Sequence, residues 1–142
     1  MKTIVITGST RGIGYGMAKE FLMRGHRVVI SGRTPDSTQK AVESLAQSFS
    51  KENILGVEGD VSHYIDCETL WKQAKDRFGT VDMWINNAGI DLPARPFWEV
   101  PLAELDNILA INLHGVLYAS QVVLKGMLEQ GSGTLYNMEG FG

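Results

Sequence analysis

The sequence predicts an α/β fold: a parallel sheet of five strands with helices wound over both faces. Three observations predict it. Short apolar runs alternate with amphipathic segments from residue 3 to residue 138, the order that strand–helix–strand units produce. A glycine-rich turn joins the first run to the first helix. The 142 residues suffice for one domain with a real core, burying roughly 68–70% of the unfolded surface. Right-handed crossovers leave few topologies for such an order, and the doubly wound sheet is the commonest.

The elements follow in order. Residues 3–7, Thr-Ile-Val-Ile-Thr, read as the first strand. Residues 12–25 have helical spacing, with Ile13, Met17, Phe21 and Leu22 on one side. Arg27-Val28-Val29-Ile30-Ser31 is the second strand. Thr34 then caps a helix that has Pro35 in its first turn and Ala41, Leu45, Ala46 and Phe49 on its apolar face. Residues 54–57 are the third strand, and 64–78 an amphipathic helix through Ile65, Leu70, Ala74 and Phe78. The fourth strand is 81–86. A loop with Pro93, Pro96 and Pro101 precedes one long apolar helix, 102–129, ended by Gly131-Ser132-Gly133. Residues 134–138 are the fifth strand. No repeat or interdomain linker interrupts the order, so residues 1–142 are expected to form one domain.

Composition excludes several function classes. Apolar content is 44%, charged content 20% and net charge −3, with no basic stripe for nucleic acid or anionic lipid. Cys67 is the only cysteine, so no internal disulfide or zinc pattern is expected. His26, His63 and His114 lack ligand spacing, and no metal site is expected. The N-terminus runs straight into a strand with no signal-peptide pattern. No apolar stretch is expected to approach the ~18 residues a membrane span requires. The expectation is a soluble, cytoplasmic protein, or one of the plastid stroma if a transit peptide has been removed.

The most informative segment is Thr7-Gly8-Ser9-Thr10-Arg11-Gly12-Ile13-Gly14, placed between a strand and a helix. Gly8 makes a tight turn, Gly12 lets backbone approach a pyrophosphate, and Gly14 lets the helix pack close to the sheet. The helix N-terminus offers free N–H groups and a positive dipole end to the phosphates. No Gly-Lys-Ser/Thr follows, which argues against a nucleoside-triphosphate loop. The expected fold is thus a dinucleotide-binding Rossmann domain.

Dinucleotide choice is set after the second strand, where an Asp or Glu would bind the ribose hydroxyls of NAD. Here the strand ends Ile30-Ser31-Gly32-Arg33. Arg33 and Arg11 can face an adenosine 2′-phosphate and favour NADP(H) over NAD(H); the alternative is that both are merely solvated. The competing acid, Asp36, is explained by its place in the first turn of a helix.

The TGxxxGxG spacing, together with Asn86-Asn87-Ala88-Gly89, resembles the short-chain dehydrogenase/reductase family over essentially the whole chain. In that family arginines at positions 11 and 33 accompany NADP preference. The resemblance implies that Asp60 and Val61 contact the adenine, although Asp60 bracing a turn explains it equally well. It implies that Asn87, Ala88 and Gly89 stabilise the central strand and line the cofactor. It gives Asn112 a water in a proton relay; the alternative is a tolerated polar residue, in a helix interior that Asn does not favour.

The family's catalytic Tyr-x-x-x-Lys and Ser are missing from their places in this chain. Tyr15-Gly16-Met17-Ala18-Lys19 has the spacing but lies on the first helix, away from where a reacting carbonyl would sit. The fifth strand ends Asn137-Met138-Glu139-Gly140-Phe141-Gly142 where the family often has Asn-Ile-Ser-Ser. That ending, with Met83-Trp84-Ile85 before the Asn-Asn-Ala-Gly, resembles the chlorophyll(ide) b reductase branch, which reduces a formyl group on the macrocycle. Pro96, Phe97 and Trp98 then either face a large flat substrate or simply pack.

The reading is an NADPH-dependent carbonyl reductase acting on a small-molecule carbonyl, represented by its cofactor-binding part and inactive alone. The alternatives are a truncated or degenerate module that binds NADP(H) without chemistry, and a redox-sensing regulator. With further strands of the fold expected beyond it, the fifth strand would be an edge, and the 102–129 helix would expose a face through which the chain forms a homo-oligomer.

Overall fold

The computed structural model describes residues 1–140. Ten principal elements alternate along the chain: β1 (Thr3–Ile6), α1 (Gly12–Met23), β2 (Arg27–Gly32), α2 (Pro35–Ala46), β3 (Ile54–Glu58), α3 (Tyr64–Phe78), β4 (Met83–Asn86), α4 (Leu102–Leu109), α5 (Gly115–Gln130) and β5 (Thr134–Asn137). The strands form one parallel sheet in the order β3-β2-β1-β4-β5.

Strand side chains alternate between two cores, as a period of two demands. Val5, Val29, Val57 and Trp84 face α3 and α5, meeting Leu70, Ala74, Ala119 and Val123. Ile4, Ile6, Val28, Ile30 and Ile85 face α1 and α2, meeting Ala18, Leu22, Ala41 and Leu45. Val28, Val29 and Ile30 are wholly buried, each contributing about 1.5–3 kcal/mol of transfer free energy. The expected doubly wound sheet is therefore present, with helices on both faces.

The details differ from the sequence reading at four places. The inner line of α1 is Gly14, Ala18 and Leu22, whereas Ile13, in the helix's first turn, is 69% exposed and lines the cavity described below. On α3, Ile65 is exposed, and Cys67 lies in the core on the same face as Leu70, Ala74 and Phe78. β4 begins two residues late because the Gln130 side-chain amide occupies the Val81 peptide, accepting from its N–H (3.2 Å) and donating to its carbonyl (3.1 Å). The long helix is continuous from Leu102 to Gln130 but carries a π-helical turn, Ala110–His114, between α4 and α5.

That helix is long and apolar enough by composition to cross a membrane, contrary to the sequence expectation. Its inner face is a core face: Ala119 and Val123 are wholly buried against the sheet and α3. Gly131, with φ +78°, ends it as expected. β5 lies at one edge of the sheet, bonded on one side to β4. Phe141 and Gly142 of the terminal motif lie outside the described residues.

Candidate cofactor-binding site

The order β3-β2-β1-β4 places the chain's reversal between β1 and β4, and a crevice opens beyond the carboxyl ends of strands at such a point. A cavity of 670 Å³ lies there. Its lining brings together every residue assigned to a cofactor from sequence except Ser9. It also takes in Ser37, Asp91 and Ile111, which sequence reasoning missed.

The glycine turn is built as its sequence suggests. Gly8 has φ +60°, and a Cβ there would stand 2.7 Å from the Ala88 Cα. A Cβ on Gly14 would stand 2.5 Å from the Asn87 Nδ2 and 2.6 Å from the Gly8 carbonyl oxygen. Gly12 has φ +59° and nothing within 4 Å of the missing Cβ. Gly8 and Gly14 thus serve protein packing, while Gly12 leaves room on the cavity side. In α1 the first intrahelical bond runs from the Tyr15 N–H to the Arg11 carbonyl (3.2 Å). The amides of Gly12, Ile13 and Gly14 precede it and no side chain caps them, so they are available to an anion.

Ser9 departs from expectation. It is wholly buried, its hydroxyl donating to the Ile6 carbonyl (2.6 Å) and accepting from the Ser31 N–H (3.0 Å). Its side chain braces β1 against β2 rather than facing a ligand.

The turn is lashed to β4 through residues sequence reasoning only half identified. Thr7 Oγ1 accepts from the Asn87 and Ala88 amides, both at 3.0 Å. Asn87 Nδ2 donates to the carbonyls of Thr7 and Gly8, again at 3.0 Å. One strand residue earlier, Asn86 accepts from the Trp84 indole N–H (2.8 Å) and donates to Asn137 Oδ1 (2.9 Å) and Ser120 Oγ (3.2 Å). Its amide group thereby ties β4, β5 and α5.

At the other end, α2 opens as predicted: Thr34 Oγ1 accepts from the Ser37 N–H (3.2 Å), with Pro35 in the first turn. That cap spacing was the available signal for Ser37. Arg11 and Arg33 are exposed at this mouth, and among the described residues no carboxylate lies within 4.0 Å of either guanidinium.

Asp60 lines the cavity and braces a turn. Its Oδ1 accepts from the Ser62 N–H (2.9 Å) and hydroxyl (2.7 Å). Burial opposes its ionisation, but the Ser62 hydrogen bonds, with His63 and Arg33 nearby, outweigh it and hold the carboxyl below the ordinary aspartate range. Val61 packs on Gly115, where a Cβ would come within 2.6 Å of it.

Asn112 sits in the π-helical turn and does not line the cavity. Its amide is paired with the backbone of Ile90, donating to the carbonyl (2.8 Å) and accepting from the N–H (2.9 Å). Cys67 is 2% exposed; burial, aided by Asp66, Asp60 and Glu68, pushes its thiol up to about 11. It is a packing residue. Among the described residues no cluster of His, Cys, Asp and Glu can hold a metal ion.

Comparison with known proteins gives a consistent result. The profile of the short chain dehydrogenase family matches residues 2–139. The probable chlorophyll(ide) b reductase NYC1 of Oryza sativa subsp. japonica is 33% identical over 99% of this chain, which covers 31% of that protein. The chlorophyll(ide) b reductase NOL of the same plant is 34% identical over 98% of this chain, covering 41% of it. Both names carry the word chloroplastic. The chain thus spans a third to two-fifths of the length of these relatives. Among solved structures, a short chain dehydrogenase from Bacillus anthracis superposes with a TM-score of 0.89 at 34% identity, covering 96% of this chain and 56% of that one. ElxO with NADP bound superposes with a TM-score of 0.86 at 29% identity, covering 96% and 54%.

Proposed function

The chain belongs to the short-chain dehydrogenase family, and from that premise we propose that it is the NADP(H)-binding part of a carbonyl reductase. A bound nicotinamide would supply the hydride. The residues present fit such a group: three consecutive free amides, Gly12 with its open side, and two arginines at the adenosine end.

The single observation that carries the NADP reading is the mouth of the cleft. Arg11 and Arg33 stand there without an ion-pair partner among the described residues, and β2 is followed directly by Arg33 rather than by an acid. A carboxylate would accept from ribose hydroxyls; guanidinium groups instead donate to a 2′-phosphate. The second oxygen of Asp60 is left to accept from an adenine amino group. The Thr7–Asn87 lashing holds the turn and the end of β4 at fixed separation, so that a ribose can lie against Ala88 and Gly89.

For the substrate, the support is the likeness to the two rice reductases and the Asn137-Met138-Glu139-Gly140 ending of β5. Both favour the formyl group of a chlorophyll(ide) b-type macrocycle, and hence a plastid location. Glu139 favours a second reading. It stands where the family's carbonyl-orienting Ser is expected, which suits a module that binds NADP(H) without chemistry. A Tyr-x-x-x-Lys downstream of Gly142 in the gene would favour the first reading, and its absence the second.

The direct test is titration of the chain with NADPH and NADH, followed by fluorescence. NADPH is expected to bind at least about tenfold more tightly, the worth of a charge-assisted hydrogen bond at a partly solvated site. Arg33→Ala should remove most of that preference. Equal affinities in the unaltered chain would end the NADP reading.

A further inference from the structure

One more cation stands close to the mouth of this cleft. Where the main cavity reaches Ser37, a second hollow of 400 Å³ begins, and Thr10, Arg11 and Ser37 line both. The walls of the second hollow are α1, through Tyr15, and α2, through Lys40, Ala41 and Ser44. The Tyr15 hydroxyl and Ser44 Oγ, 2.7 Å apart, join the two walls.

Lys40 follows Ser37 by three residues on α2, so both lie on one helix face. Helical side chains lean toward the N-terminus of their helix, and Lys40 does so. Its Nζ reaches back 2.9 Å from Asp36 Oδ2, toward the end of α2 that borders Arg33 and Thr34. The hydrogen bond and charge of Asp36 raise the lysine's pKa, so it is cationic at any working pH.

We propose that Lys40 is a third, specificity-determining cation for the adenosine 2′-phosphate, reached by exchanging Asp36 for the phosphate. This rests on the NADP(H) reading above. The exchange is favourable on charge. Asp36 and Lys40 are 75% and 73% exposed at their side chains, and an exposed pair of this spacing adds little to stability. A phosphate monoester carries about −1.5 to −2 charges at neutral pH and three acceptor oxygens, against one charge on the carboxylate. It would also sit between Arg11 and Arg33 rather than in open solvent. Asp36 itself is then a repulsive neighbour that limits affinity for the phosphorylated dinucleotide.

The experiment is titration of the full chain and of Lys40→Met, Lys40→Arg and Asp36→Asn with NADPH and with NADH. Lys40→Met should weaken NADPH about three- to tenfold and leave NADH within about twofold, the spread expected of an exposed substitution. Lys40→Arg should restore NADPH binding. Asp36→Asn should tighten NADPH and not NADH. Unchanged NADPH affinity in Lys40→Met, with Arg33→Ala still weakening it, would overturn the role of Lys40 and leave the NADP reading standing. Parallel losses for both dinucleotides would mark Lys40 as merely structural and overturn the proposal too. Equal binding of the two by the unaltered chain would overturn the NADP reading and Lys40's role together.

Discussion

At the scale of single residues, the three glycines of the phosphate turn separate into two physical classes. Gly14 is squeezed between the Asn87 amide and the Gly8 carbonyl, and a methyl group there would fall within 2.6 Å of both. Neither neighbour can yield cheaply, because Asn87 Nδ2 is itself bonded to the Thr7 and Gly8 carbonyls. Gly14→Ala should therefore cost about 1–3 kcal/mol by overpacking and abolish dinucleotide binding by shifting the turn. Gly12 carries only a backbone requirement: φ is +59° and space is open. Gly12→Ala should cost about 1–2 kcal/mol for the left-handed conformation while crowding the ligand side. Denaturant unfolding measures the first quantity and NADPH titration the second. If Gly14→Ala binds as the unaltered chain does, the close approach at that position has no functional weight.

At the scale of elements, the interrupted helix is the instructive case. The apolar spacing of residues 102–129 predicts a helix and nothing more, because a π-helical turn leaves no mark in hydropathy. Asn112 is the only hint, a residue whose side chain competes for backbone bonds, and in the structure it bonds the Ile90 backbone in both directions. The inserted turn and that pair fasten the segment after β4 to the helix beside Ile111, one wall of the cleft. Asn112→Ala should lower stability by about 1–2 kcal/mol, the worth of two partly solvated hydrogen bonds, and speed amide exchange at Ile90. Unchanged exchange there would show that the loop is held by other means. The same contrast explains what the sequence made legible. Strand and helix order, the Thr34 cap and the glycine turn are local and were readable. The burial of Ser9, the Gln130 clamp on Val81 and the Thr7–Asn87 lashing are contacts between residues 22 to 81 positions apart, and no local pattern reports them.

At the scale of the whole molecule, the apolar surface is unevenly spent. The face of the long helix turned from the sheet carries Leu109, Leu113, Leu117, Leu124 and Leu128, each 49–82% exposed. Their spacings of four and seven residues keep them on one stripe. Scattered exposed leucines need no explanation; a contiguous stripe is the kind of surface through which chains associate. Beside it, β5 has an open edge in the described sheet, a second invitation to association. We propose that two copies of the chain pair through this stripe, because the same apolar stripe on both copies can meet itself in an isologous contact. Sedimentation velocity should then show a dimer or larger species whose share grows with concentration. The double variant Leu117→Glu, Leu124→Glu should sediment as a monomer and keep its NADPH affinity, since neither residue lines the cleft. A chain that stays monomeric at every concentration would remove the stripe's role. A variant that remains associated would move the contact to the β5 edge, where Tyr136, 48% exposed, is the next residue to change.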